Sequence, residues 1–164
     1  MSSTFSHTLL ITGARTWSDE LAMRAAFNEA WCIWGISKVA RPLLISGHCP
    51  KGADAMAERL WRTAGFDVLE VPADWDAHGG GAGFKRNSGM VRIARSLREQ
   101  GSEVLCAAFL DVCTKQNCPQ LRRQQLAPMV AGHFSHGTTH CRSEARSAGI
   151  RTIDVLPAAQ RPAS

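Results

Sequence analysis

The sequence predicts an α/β domain built on a mostly parallel sheet with helices on both faces. Two features carry that expectation. Short apolar runs alternate with longer segments whose apolar residues recur at helical spacing, the pattern of strands joined by crossover helices. Glycine-bearing turns follow the strands or open the helices, which gathers them on one edge of such a sheet, where ligands of parallel α/β folds sit. The combination describes a Rossmann-like three-layer sandwich. One domain over residues 1–164 is expected, with an insertion at about 111–135 and a frayed tail at 157–164.

Leu9 to Thr12 is an apolar run ending in Gly13 and reads as a buried first strand. Ser18 is placed to cap the first helix, with Asp19 and Glu20 at its positive end. Met23, Phe27, Trp31 and Trp34 then form one apolar face that belongs to the core, and Gly35 stops the helix. Leu43 to Ser46 is the second strand. A second helix begins near Ala53, with Met56, Leu60 and Ala64 inward and Gly65 as its stop. Phe66 to Val71 is the third strand, closed by Pro72. The run containing Gly79, Gly80, Gly81 and Gly83 has little reason to lie inside an element; it reads as a mobile loop or a close approach to a ligand. Met90, Ile93, Ala94 and Leu97 mark the next helix. Val104 to Leu110, the most apolar run, is expected to be central in the sheet. After the insertion, a helix runs from Gly137 and Thr138 to about Ala148, and Ile150 to Val155 is the last strand.

Composition narrows the function classes. A hydrophobic share of 45% against 20% charged residues is globular and argues against disorder. No apolar run approaches the roughly 20 residues of a membrane helix. Met1 to Thr8 lacks the basic and apolar regions of a secretory signal, so a cytoplasmic protein is expected. The net charge of +5 comes mainly from arginines, including Arg92, Arg95 and Arg98 in one segment and Arg122 and Arg123 in another. Such a balance suits a phosphate-bearing ligand or nucleic acid, and equally a solvated helix face. Without an export signal, six cysteines point to thiols or metal ligands rather than disulfides. Cys32 and Cys106, each inside an apolar run, read as core. Of Trp17, Trp34, Trp61 and Trp75, burial is expected for most, with a homo-oligomer interface as the alternative.

Three turns carry chemistry. In Thr12-Gly13-Ala14-Arg15-Thr16-Trp17, Gly13 permits a sharp turn and Arg15 either reaches an anion or bonds nearby carbonyls. In Ser46-Gly47-His48-Cys49-Pro50-Lys51-Gly52-Ala53-Asp54, strand-end amides and the helix N-terminus are arranged to cradle a phosphate. No Walker-type Gly-Lys-Ser/Thr follows. Asp54 either accepts from a ribose hydroxyl or stabilises the first helical turn. In Ser135-His136-Gly137-Thr138-Thr139-His140-Cys141, the threonines either cap a helix or donate to phosphate oxygens. One shared anion explains the three turns together.

These turns, joined by Gly83-Phe84-Lys85-Arg86-Asn87-Ser88-Gly89-Met90, resemble the SLOG superfamily, closest to its YspA or cpYpsA-related branch. The likeness runs in order from Leu9 to about Val155. It implies a Rossmann-like fold and a site for nucleotides or nucleotide-derived signals such as NAD or ADP-ribose derivatives. On this chain the implied binding residues are Gly13, Arg15, Gly47, Gly52, Asp54, Arg86, Asn87, Gly137 and Thr138. Two departures stand out. His48 occupies a position where the family often has a second glycine, which is expected to reshape that loop. The related phosphoribohydrolase motif ends in a catalytic acid, but Cys141 stands there, and a thiol does not replace a carboxylate in N-glycosidic cleavage. Glu144, one turn later, is the nearest acid.

Cys113 and Cys118, with His133 and His136, are residue types that hold zinc, and such a centre would give the patternless insertion a shape. The alternative is two thiols and two ordinary loop histidines. The functional readings, in order, are a module that senses, carries or sequesters a nucleotide-derived ligand, a nucleotide-cleaving hydrolase using Asp54 or Glu144, and a DNA-binding protein.

Overall fold

The computed structural model describes residues 5–120 and 133–163. Arg122, Arg123 and the middle of the expected insertion lie outside the described residues. Five strands form one sheet: β1 (His7–Gly13), β2 (Pro42–Ser46), β3 (Asp67–Glu70), β4 (Glu103–Phe109) and β5 (Arg151–Val155). They run in the order β3-β2-β1-β4-β5, all parallel. The helices are α1 (Glu20–Trp34), α2 (Ala53–Thr63), α3 (Trp75–His78), α4 (Ala82–Glu99) and α5 (His136–Ser147). The three-layer α/β sandwich expected from the alternation is therefore the fold.

Strand alternation sorts the apolar residues into two layers. Leu9, Ile11, Leu44, Leu105 and Phe109 pack with Met23 and Trp34 of α1 and Ala57 and Trp61 of α2. Leu10, Ile45 and Cys106 face the other way, onto Met90 and Ala94 of α4 and Cys141 and Ala145 of α5. The period of two in a strand makes this division obligatory. The most central strand is β1, with β4 beside it; the longer apolar run of β4 reflects burial on both faces rather than the middle position.

Several local expectations change. Asp19, not Ser18, caps α1, its carboxylate accepting from the Ala22 amide at 2.9 Å. A carboxylate at that place satisfies an open amide and meets the helix dipole together. Cys32 is exposed, because it falls on the outer side of α1 while Trp31 stacks on Phe66 and meets Trp61 edge-on. On α2 Leu60 is buried and Met56 packs against the core as expected, Ala53, Ala57 and Trp61 join them, and Ala64 is exposed. Trp61 carries far more apolar surface and takes the inner face. The glycine run is helical: Gly79–Gly81 form a 3-10 turn and Gly83 lies in the first turn of α4. Arg98 of α4 donates to the Ala148 and Gly149 carbonyls at the end of α5, so one of the three arginines of that segment closes a helix terminus. In the tail, Ala158–Gln160 form a 3-10 turn and Arg161 pairs with Asp19 at 2.8 Å. Among the described residues no helix is long and apolar enough to cross a membrane.

The chain leaves β1 for β2 and β3, then returns to the other side of β1 as β4. This reversal opens a crevice beyond the carboxyl ends of β1 and β4.

Candidate functional site

A cleft of about 520 Å³ occupies that crevice, a size typical of small-molecule sites. Its wall includes Gly13, Arg15, Asp54, Arg86, Asn87, Gly137 and Thr138, so the first and third turns and the start of α2 and α4 meet there. Gly47 lies on an adjoining hollow that shares Arg15, Cys49, Trp75 and Arg86 with the cleft.

Gly52 belongs to neither wall. Its backbone, at φ 75° and ψ −143°, lies against the first turn, where a Cβ would stand 2.5 Å from Arg15 Cα. The Ala53 amide donates to the Ala14 carbonyl at 3.1 Å, and the Cys49 amide donates to Asp54 Oδ2 at 3.1 Å. Two amides expected to cradle an anion are thus spent, one on joining the first turn to the second and one within the second turn itself. The third turn keeps more in reserve. Helix geometry leaves the first amides of α5, from His136 to Thr138, without intrahelical acceptors, and these residues line the cleft. Thr138 is buried, its hydroxyl 2.9 Å from Ser135 Oγ.

Arg86 and Asn87 link the second turn to the third. Arg86 donates through Nη1 to the Gly47 carbonyl and through Nε to Asn87 Oδ1 at 2.9 Å. Asn87, 2% exposed, donates through Nδ2 to the Gly137 carbonyl at 3.0 Å. Arg15 lies with its guanidinium 5.9 Å from the Trp75 ring. Among the described residues neither guanidinium forms an ion pair with a carboxylate. His48 stands at φ 54°, in the left-handed region that glycine reaches without strain. Its Nδ1 lies 3.0 Å from Glu58 Oε2, and its amide donates to Ser46 Oγ at 3.2 Å, which holds the loop in that shape despite the side chain.

Asp54 is the one carboxylate on the cleft wall among the described residues, and it is 6% exposed. Burial pushes its carboxyl above the ordinary value, against the opposing pull of the Cys49 amide and of Arg86 and Arg15. The folded state therefore holds the Asp54 proton more tightly than the unfolded chain does. Its contribution to stability is complete below the ordinary value of 3.8 and is lost as pH rises through the raised folded value. Asp54→Asn is expected to melt above the parent at neutral pH, with the gap closing on acidification towards 3.8. Calorimetric scans across that range check this, and a pH-independent gap would contradict it.

Cys141 is fully buried against the sheet, and burial pushes its thiol up to about 12 even with the Thr12 hydroxyl bonded to it. It is a neutral core group at physiological pH. Glu144 accepts from Ser88 Oγ at 3.2 Å and is not on the cleft wall. The catalytic carboxylate of the phosphoribohydrolase pattern thus has no counterpart at either position.

The cleft wall also carries Phe84 and Lys115, for which the sequence suggests no role, and Trp75, which the sequence offers only as a core or interface residue. Trp75 and Phe84 are 50% and 44% exposed, whereas Trp17, Trp34 and Trp61 are buried. Flat rings at the mouth of a phosphate-suited cleft are natural platforms for a nucleobase. The signal available was weak: a tryptophan next to an aspartate N-cap, just after a strand and a proline. The four predicted metal ligands are also brought together, their donor atoms all within 4.8 Å of one another, and Cys113 and His136 share the cleft wall.

Residues 7–78 match the family described as the YspA, cpYpsA-related SLOG family. The chain is also 32% identical over 151 residues to the Gene 61 protein of Mycobacterium phage D29, covering 89% of this chain and 94% of that one. No solved structure matches it.

Proposed function

The chain belongs to the YspA, cpYpsA-related SLOG family, and from that premise we propose that the cleft binds a nucleotide or nucleotide-derived ligand of the NAD or ADP-ribose kind, as a sensor, carrier or sequestering protein. One observation carries the reading. Arg15, Arg86 and the open amides of α5 meet on one wall, and the exposed rings of Trp75 and Phe84 stand on the same cleft. Cations and helix N-terminal amides favour a phosphate, and the rings favour a planar base. Their presence on one cleft suits a molecule bearing both. Asp54, on the wall of the same cleft, would accept from a ribose hydroxyl.

Isothermal titration of the full chain with NAD, ADP-ribose, AMP and inorganic phosphate tests this. Saturable binding of at least one nucleotide is expected, weakened by added phosphate and by salt. Failure of all four to bind a folded protein at millimolar concentration overturns the proposal.

Asp54 also supports a second reading, cleavage of the bound nucleotide, because a buried carboxyl with a raised pKa is a common general acid or base. Chromatography of the same mixtures separates the two readings. Product released in excess of protein, and abolished in Asp54→Asn, would assign an enzyme. Intact ligand would leave a binding protein.

A further inference from the structure

We infer that Cys113, Cys118, His133 and His136 form a closed zinc centre that fixes one wall of the cleft. The proposal stands apart from the identity of the ligand, since it rests only on these four side chains. Cys118 Sγ lies 3.4 Å from His133 Nε2 and 3.3 Å from His136 Nε2, and the two Nε2 atoms are 3.1 Å apart. A tetrahedral zinc with ordinary Zn–S and Zn–N bonds has ligand-to-ligand edges of about 3.3–3.8 Å, so small outward shifts of these three would admit the ion, with Cys113 Sγ within 4.8 Å of each to complete the set. Both cysteines are buried and both histidines half-buried.

Without a cation the cluster is poorly matched. Two imidazoles aim the same nitrogen at each other and at one sulfur, and because a neutral ring nitrogen is either donor or acceptor, no tautomer gives each of the three contacts its own hydrogen bond. Zinc resolves this: two thiolates and two neutral imidazoles balance the ion's charge, and two thiol protons leave on binding. Cysteine with histidine is the donor set zinc favours, and four protein ligands leave no open position, which makes the centre structural.

The backbone already prepares the arrangement. The Cys113 amide donates to the His133 carbonyl at 2.9 Å, Val112 and Phe134 form an antiparallel bridge, and the Ser135 amide donates to the Asp111 carbonyl at 3.0 Å. The ion would lock this pairing to His136, the first residue of α5. Thr114 and Lys115, which follow the first ligand and line the cleft, would be held in place. A second cluster, His48 with Glu58 and Glu70, has a competing cation already, since Arg62 pairs with both carboxylates.

The test is metal analysis of the full chain purified under reducing conditions and, separately, loaded with zinc. About one tightly held zinc per chain is expected, falling below roughly a tenth in Cys118→Ser and in His133→Ala and unchanged in Cys49→Ser. The cobalt-loaded parent should show a sulfur-to-metal charge-transfer band and the intense visible bands of a tetrahedral site, a readout that needs no variant to fold. A folded protein that remains far below one zinc after loading, a stoichiometric zinc retained in Cys118→Ser, or a cobalt spectrum without the sulfur band would each overturn the proposal.

Discussion

Gly52→Ala is expected to lower the melting temperature by roughly 4–20 °C, corresponding to a loss of about 2–5 kcal/mol. Two costs add. At φ 75° and ψ −143° the backbone occupies a region that only glycine enters freely. A Cβ there would also stand 2.5 Å from Arg15 Cα and 2.6 Å from its carbonyl carbon, and both are backbone atoms with nowhere to move. Relief requires separating the first turn from α2, which breaks the Ala53 amide's bond to the Ala14 carbonyl. Gly81→Ala is the control. It has nothing near its Cβ and a helical backbone, so it should be neutral or slightly stabilising. Equal melting of the two variants would show that the close approach of the turns is not what Gly52 provides.

Arg86→Ala should weaken binding of the tightest nucleotide in the titration by roughly 10–150-fold, the worth of hydrogen bonds to a charged group. The effect has two parts. One is the cation removed from the cleft wall. The other is the loss of the tie from Gly47 through Arg86 and Asn87 to Gly137, which aligns the second and third turns. Arg86→Lys separates them: it retains the charge but not the planar fork, so an intermediate loss is expected. Gly47→Ala should mimic Arg86→Ala without touching the arginine, because the new Cβ would stand 2.5 Å from the guanidinium carbon and displace it. Unchanged affinity in a folded Arg86→Ala would remove this residue from the site.

Much of this was legible in the chain because it depends on local pattern. The alternation of apolar runs with helical periodicity reports which faces are buried, and burial is what builds a parallel sheet between helices. Glycines at strand ends placed the turns on one edge. The residue types Cys113, Cys118, His133 and His136 marked themselves as candidate metal ligands before any fold was known. Local pattern failed where two elements competed for a role. Cys32 has apolar neighbours in sequence, but helix rotation turns it outward. Three successive glycines suggested a loop, yet the Asp74 cap, accepting from the Ala77 amide at 2.9 Å, helps start a helical segment that runs through them. Gly52 was read as part of a phosphate cradle, whereas the Ala53 amide beside it is consumed by the adjoining turn.

Sequence by itself determined the layers, the edge on which the turns lie and the kinds of group available to meet an anion or a metal. Tertiary structure decided which amides stay open, that Arg86 and Asn87 bridge two turns, that Cys141 is a core thiol, and that Trp75 and Phe84 stand at the cleft. The reason is the range of the forces involved. Burial and backbone preference act over a few residues and leave a periodic trace. Hydrogen bonds between turns tens of residues apart in the chain depend on a meeting that no local pattern records.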